Sequence, residues 1–269
     1  KATWVTPFHA HMPPLKKIML PISKAEIANI YERNLMISKY IDKKNCSICI
    51  SRDTYEYAQK NLPKALRNDI HFLPNAINCK EFTNPNKACF DFSKKINLVT
   101  VGSLVDKKNQ AFLIPVVSIL KSWGYDTQLH ILGEGPNRKA IESDIVELEM
   151  TNSVFLHGNV GVNEFYWNAD IYVHSATYEP FGLVLLEAMA AGLPVVCLDG
   201  KGNRDIIEDS KNGYILSTEN PEEFAHKIYN IWNNCKVYNA MSQYAIEFAE
   251  KYDIKPYVDK LLDIYTSRN

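Results

Sequence analysis

The chain has 269 residues, enough for one large domain or two modest ones. An apolar fraction of 46% and a charged fraction of 23% are those of an ordinary globular protein. A formal net charge of −1 excludes a broadly basic nucleic-acid binder, and no apolar run is long enough to span a bilayer.

The chain opens on Lys1 without a methionine or a signal-peptide pattern, which reads as a fragment of a longer protein. The six cysteines (Cys46, Cys49, Cys79, Cys89, Cys197, Cys235) are scattered, as expected of reduced thiols in a cytoplasmic protein. Cys46 and Cys49 have a C-x-x-C spacing, but no second pair completes a zinc or redox motif.

Residues 2–8 (ATWVTPF) are aromatic and β-branched and predict a strand, ending in a loop that holds His9 and His11. No Asp, Glu or Cys lies close enough in sequence to make a metal set with these two histidines. Residues 15–44 predict basic helix, in which Lys16, Lys17, Lys24, Arg33, Lys39, Lys43 and Lys44 outnumber Glu26, Glu32 and Asp42. Such a face is either simply solvated or attracted to anionic headgroups on a membrane surface. A strand at 47–51, a helix at 53–66 and a strand at 70–73 follow, and Pro85 and polar neighbours at 84–92 predict a linker.

From residue 93 strands and helices alternate. Strand 96–101 runs into Gly102-Ser103-Leu104-Val105-Asp106-Lys107-Lys108-Asn109. A strand, a glycine turn and a lysine ahead of a helix suit a phosphate, though many such turns share the pattern. Pro115 should kink the helix that follows. Strand 128–132 ends at Gly133-Glu134-Gly135, where the absence of a third glycine argues against a dinucleotide site. Helix 137–149, strand 154–156, the turn His157-Gly158-Asn159-Val160, helix 163–168 and strand 171–174 come next. After the stretch from Tyr178 to Gly200, Gly202-Asn203-Arg204-Asp205 turns into a short helix, and strand 213–216 closes the alternation. Helices near 221–233, 236–250 and 255–266 finish the chain. The alternation predicts an α/β fold with a parallel sheet, whose ligands sit at the carboxyl ends of the strands.

The stretch Tyr178–Gly200 organises the rest. Pro180 and Gly182 break the backbone ahead of Leu183-Val184-Leu185-Leu186, and Glu187 interrupts that apolar run. Gly192 and Pro194 end the predicted helix, and Val195–Leu198 predicts a strand buried on both faces. The backbone N–H groups around Phe181, Gly182 and Leu183 would lie at a helix start, which suits an anion. Glu179 and Glu187 frame that start and accept hydrogen bonds from hydroxyls. A phosphate site between two hydroxyl readers fits a nucleotide-sugar. On spacing alone, Glu187 is equally a surface residue and Glu179 an ordinary complement to the helix dipole.

Residues Glu179–Ala188 resemble the E-x7-E motif of the family 4 retaining glycosyltransferases. The resemblance is strongest over 99–216 and implies a GT-B arrangement of two Rossmann-like domains. On this division, 1–92 is a partial acceptor-side domain with its linker, 93–250 the donor domain and 251–269 a helix packing back on the first domain. Gly102–Asn109 resembles the family's G-R-L-x-x-x-K-N loop, with Ser103 where Arg is usual and Lys108 matching its Lys. Pro74-Asn75-Ala76 resembles a "PNG" element, with Ala in place of Gly.

The resemblance implies transfer of a sugar from a nucleotide diphosphate, UDP favoured, to a glycan or lipid-linked hydroxyl with retention, in cell-surface polysaccharide synthesis. The catalytic candidates are Glu179, Lys108 and His9, with His11 the alternative to His9. The donor-binding candidates are Gly102, Ser103, Lys108, Gly133, Asn159, Val160, Glu179, Phe181, Gly182, Leu183 and Glu187. No cofactor or metal is expected, and the protein is placed in the cytoplasm with peripheral contact to the inner face of the membrane. A GT-B phosphorylase or epimerase is disfavoured by E-x7-E. The remaining alternative is a fragment that binds nucleotide-sugar without transferring it, since the first strands and glycine loop of the acceptor domain are missing.

Overall fold

A computed structural model describes residues 46–61, 67, 69–85 and 95–267. The expected strand at 2–8, His9, His11, the basic segment 15–44, Cys89 and the linker from 86 to 94 lie outside the described residues. The chain divides into two compact units, one from Asn75 to Val258, the other holding the described residues on either side of it.

In the smaller unit, β1 (Ser47–Cys49) and β2 (Ile70–Phe72) pair in parallel, with Ser47 opposite Ile70. They are joined through α1 (Arg52–Asn61). Ser51 and Thr54 start that helix by reciprocal capping: Thr54 N donates to Ser51 Oγ at 3.3 Å and Ser51 N to Thr54 Oγ1 at 3.1 Å. Cys46 and Cys49 are free and buried. Burial pushes the Cys49 thiol up to about 11, against a smaller opposing hydrogen bond with Thr54.

The larger unit is built on six parallel strands: β3 (Ile96–Val101), β4 (Thr127–Leu132), β5 (Val154–Gly158), β6 (Ile171–His174), β7 (Val195–Leu198) and β8 (Gly213–Leu216). Their order across the sheet is β5-β4-β3-β6-β7-β8. The chain winds outward from β3 through β4 to β5, then returns to the other side of β3 and winds through β6 to β8. The loops leaving β3 and β6 therefore part in opposite directions. Such a switch point opens a crevice at the carboxyl ends of neighbouring strands.

Helices cover both faces. On one, α3 (Leu113–Ser122) and α7 (Pro221–Trp232) bury Leu113, Val116, Val117, Leu120, Phe224, Ile228 and Ile231 against Leu98, Leu129, Ile171 and Val196. Each such side chain contributes about 1.5–3 kcal/mol when fully buried. Asn220 caps α7 by accepting from Glu222 N and Glu223 N, with Pro221 in the first turn. The other face carries α5 (Asn163–Asn168) and α6 (Leu183–Ala190), where Tyr166 of α5 stacks edge-on against Tyr172 of β6. The strand Val195–Leu198 is buried throughout, as its apolar run requires. The remaining elements are α2 (Cys79–Phe82), α4 (Arg138–Glu147), α8 (Cys235–Glu250) and α9 (Ile254–Thr266).

One local expectation is corrected. Pro115 does not kink a helix, because two short 3₁₀ turns, Asp106–Lys108 and Gln110–Phe112, precede α3. They delay its start to Leu113. Pro115 thus falls in the first turn, where its missing N–H has no intrahelical acceptor to lose. Ala76, which stands where the resembled element has glycine, lies outside the left-handed region. The described non-glycine residues in the left-handed region are Asn109, Glu149, Lys201 and Ser210, so the turn at Ala76 does not need glycine. Beyond it, Ile77 pairs with the segment before α9, donating to Tyr252 O and accepting from Ile254 N.

Candidate functional site

Three loops converge where β3, β6 and β7 end. The loop after β3 brings Lys108, at the end of its 3₁₀ turn and followed by the left-handed Asn109. The loop after β6 brings Glu179, and the loop after β7 brings Gly200-Lys201-Gly202. Backbone bonds hold them together: Thr177 N donates to Lys107 O at 3.0 Å, Glu179 N to Gly200 O at 2.8 Å, and Gly202 N to Glu179 O at 2.9 Å. Ser175 Oγ adds a 2.8 Å bond to Lys108 O. The third loop approaches so closely that a Cβ on Gly202 would lie 2.3 Å from Pro180 O, which only glycine allows.

At the centre, Lys108 Nζ forms an ion pair with Glu179 Oε2. His174, the last residue of β6, places Nε2 3.4 Å from the same oxygen. That is an ion-pair distance without regular hydrogen-bond geometry, and Nε2 has no other partner. Burial pushes the Glu179 carboxyl up, but His174 and the positive charge of Lys108 outweigh it and hold the group at about 2. Burial holds His174 below its usual 6.5, despite the opposing influence of Glu179, so the imidazole is neutral at physiological pH.

Gly182 caps α6 at φ 93° with no side-chain hydrogen bond to the helix. The first N–H groups of α6 have no partner inside the helix, and the dipole there favours an anion. Phe181, 2% exposed, packs against Tyr252 and anchors the turn, whereas Leu183 is partly exposed. Glu187, the fifth residue of α6, is half-buried and accepts a 3.1 Å bond from the fully buried Tyr166 hydroxyl. Burial raises the Glu187 carboxyl above its ordinary value, and the Tyr166 bond opposes that.

The expected site residues thus separate into groups. Gly102, Lys108, Glu179 and Gly182 are neighbours: a Cβ on Gly102 would lie 3.7 Å from the Lys108 stem, and one on Gly182 3.3 Å from Glu179 Cγ. Ser103 is exposed beside them, and the buried Gln110 side chain braces its loop by donating to Ser103 O and Gly102 O. Gly133 packs on the same loop, since its Cβ would collide with Gly102 O at 2.1 Å. Asn159 and Val160 are exposed after β5, at the far edge of the sheet. His9 lies outside the described residues. Among those residues, no group of three or more His, Cys, Asp or Glu is arranged to hold a metal ion.

Sequence reasoning missed His174, Tyr166 and Gln110. Tyr166 carried a usable signal: it lies in a predicted helix, and a carboxylate in an apolar segment needs a donor. The contact with His174 depends on how the loop after β6 folds back.

Residues 86–248 match the model of the glycosyl transferases group 1. The chain belongs to that family. It is 27% identical over 169 residues to a poly(glycerol-phosphate) alpha-glucosyltransferase of Bacillus subtilis, covering 62% of this chain and 25% of the relative. It is 29% identical over 212 residues to a poly(ribitol-phosphate) alpha-N-acetylglucosaminyltransferase of Staphylococcus aureus, covering 77% of this chain and 43% of the relative. Among solved structures it resembles a variant of S. aureus TarM in complex with fondaparinux, alpha-GlcNAc-glycerol and UDP. The TM-score is 0.74 at 25% identity, over 87% of this chain and 46% of that one. The fold is that of the GT-B glycosyltransferases. The chain spans less than half the length of these relatives.

Proposed function

We propose that this chain carries the donor site of a retaining glycosyltransferase. The reaction moves a sugar from a UDP-sugar to a hydroxyl of a glycan or lipid-linked acceptor in cell-surface polymer synthesis. The observation that supports it best is the cluster of Lys108, Glu179 and the uncapped start of α6 at the switch point of the sheet. Lys108 and the α6 N–H groups take the diphosphate, where negative charge grows as the glycosidic bond breaks. Glu179 accepts from hydroxyls of the donor sugar. Glu187, oriented by Tyr166, accepts from the ribose.

No divalent metal is required on this reading, because Lys108 and the helix dipole supply the positive potential. The relatives' names support retention: they describe alpha-linked products, and UDP-glucose and UDP-N-acetylglucosamine are themselves alpha at the anomeric carbon. Among the described residues no second carboxylate lies beside Lys108 and Glu179 to serve as a nucleophile, which favours attack from the face the leaving group departs. Residues 93–250 are the donor domain and 1–92 the acceptor side, with His9 its candidate cleft residue and 251–269 returning to it. Contact with the inner face of the membrane through 15–44 belongs to the same proposal.

The test incubates the chain with UDP-glucose or UDP-N-acetylglucosamine and a polyol-phosphate acceptor, and reads the anomeric configuration of the product by NMR. An alpha product supports the reading and a beta product excludes retention. Binding of UDP-sugar without any product would favour the second reading, donor binding without transfer. The short span of this chain against its relatives motivates that alternative.

A further inference from the structure

Glu179 Oε2 faces two nitrogen groups of unequal freedom. Lys108 sits on a loop and carries a long, partly exposed side chain, so its ammonium can swing. His174 is 2% exposed, its backbone is fixed in β6, and its ring stacks on Tyr172 at 6.0 Å and 24°. The ring therefore stays where it is, with Nε2 3.4 Å from the carboxylate and otherwise unpartnered. Buried polar groups are nearly always hydrogen-bonded, so an orphan aimed at a site residue needs an explanation.

The reading of this cluster as a UDP-sugar site supplies one. A bound diphosphate competes with Glu179 for Lys108. Once Lys108 leaves, Glu179 is a buried carboxylate without its cation, and burying an unpaired charge is costly. The neutral imidazole carries one N–H, and on Nε2 that donor lies 3.4 Å from the vacated oxygen, out of line with it until the carboxylate turns. We propose that His174 is the positioning residue of Glu179. Donor binding draws Lys108 from Glu179 Oε2 to the diphosphate, and the released carboxylate turns that oxygen into line with the Nε2–H of His174. Glu179 stays ionised and fixed, with its other oxygen directed to a sugar hydroxyl. The Lys108–Glu179 pair is then the resting form of the empty site.

The test compares the wild type with His174→Phe and His174→Gln, titrating uridine and UDP against each. Phenylalanine keeps a ring against Tyr172 but removes the donor, and glutamine restores an N–H at about the same reach. Uridine lacks the phosphates that move Lys108, so its affinity should be unchanged in both variants. The gain in affinity from uridine to UDP should shrink about tenfold or more in His174→Phe, the scale of a charge-assisted hydrogen bond, and recover in His174→Gln. An unchanged gain in His174→Phe, or no recovery in His174→Gln, overturns the proposal. Equal losses for uridine and UDP would show a merely structural role and also overturn it. In wild-type protein with ¹⁵N-labelled histidine, UDP should shift the His174 Nε2 resonances into the hydrogen-bonded range. Unmoved resonances at saturating UDP refute the exchange even if the variants fail to fold. A wild type that binds no UDP at all refutes the donor-site reading itself, a separate result.

Discussion

At the scale of residues, the site holds its charges in two different ways. Glu179 is kept ionised by its neighbours: burial opposes the charge, but His174 and Lys108 bring its pKa from 4.5 to about 2. A depressed carboxylate contributes stability that is present above 4.5 and lost as pH falls toward 2. Burial holds His174, and the half-buried His130 and His157 that meet at 2.9 Å on β4 and β5, below 6.5, so stability is lost as pH drops beneath that value. The melting temperature should therefore fall steadily from pH 7 to pH 4. A flat profile over that range would show that these groups are not buried as described. Removing the cation is the sharper test. Lys108→Met takes the cation from the buried Glu179 and leaves it His174 alone, and should cost about 1–3 kcal/mol, less than a wholly unpaired buried charge. Glu179→Gln added to it should restore most of that loss in denaturant unfolding, and independent, additive losses would mean the pair is not coupled. Glu187 behaves otherwise, since its one described donor is the neutral Tyr166. Glu187→Ala should weaken UDP binding by about 1–3 kcal/mol. A collapsed melting temperature with unchanged binding would make Glu187 structural.

At the scale of elements, α6 concentrates the argument. It is short, its buried face carries Leu185, Leu186, Ala188 and Met189, and it begins at a glycine in the left-handed region. Gly182→Ala would force φ 93° on a residue with a Cβ and press that atom within 2.9 Å of Leu185 Cδ1. It should destabilise the protein by roughly 1–2 kcal/mol, and also weaken UDP binding by moving the first N–H groups. Loss of stability with unaltered UDP affinity would separate the turn from the site. Most elements were legible because their signals are local. Apolar runs bounded by glycine and proline gave the strands, and the 3.6-residue period gave α3 and α4. The start of α3 was not legible, because two 3₁₀ turns ahead of Pro115 depend on how the loop is tied to β6 through Ser175 and Thr177.

At the scale of the whole molecule, strand order decides where the chemistry can lie. Alternation of strands and helices predicted a parallel sheet but not the order β5-β4-β3-β6-β7-β8, because pairing is not written locally in a strand. That order makes β3 and β6 neighbours and joins Lys108 to Glu179 across 71 residues of sequence. Expected residues near this junction, Gly102, Lys108, Glu179 and Gly182, are indeed together, while Asn159 and Val160 stand at the far edge of the sheet. The contribution of His174 depends on tertiary structure, since it needs both β6 and the returning loop. The measurement that tests the central claim most directly is calorimetric titration of UDP into the wild type in excess chelator, with GDP, ADP and dTDP alongside. Metal-free binding is predicted, tightest for UDP and abolished by Lys108→Met. Binding that is absent in chelator and restored by Mg²⁺, or that is indifferent to Lys108→Met, would contradict the assignment of this cluster as the donor site.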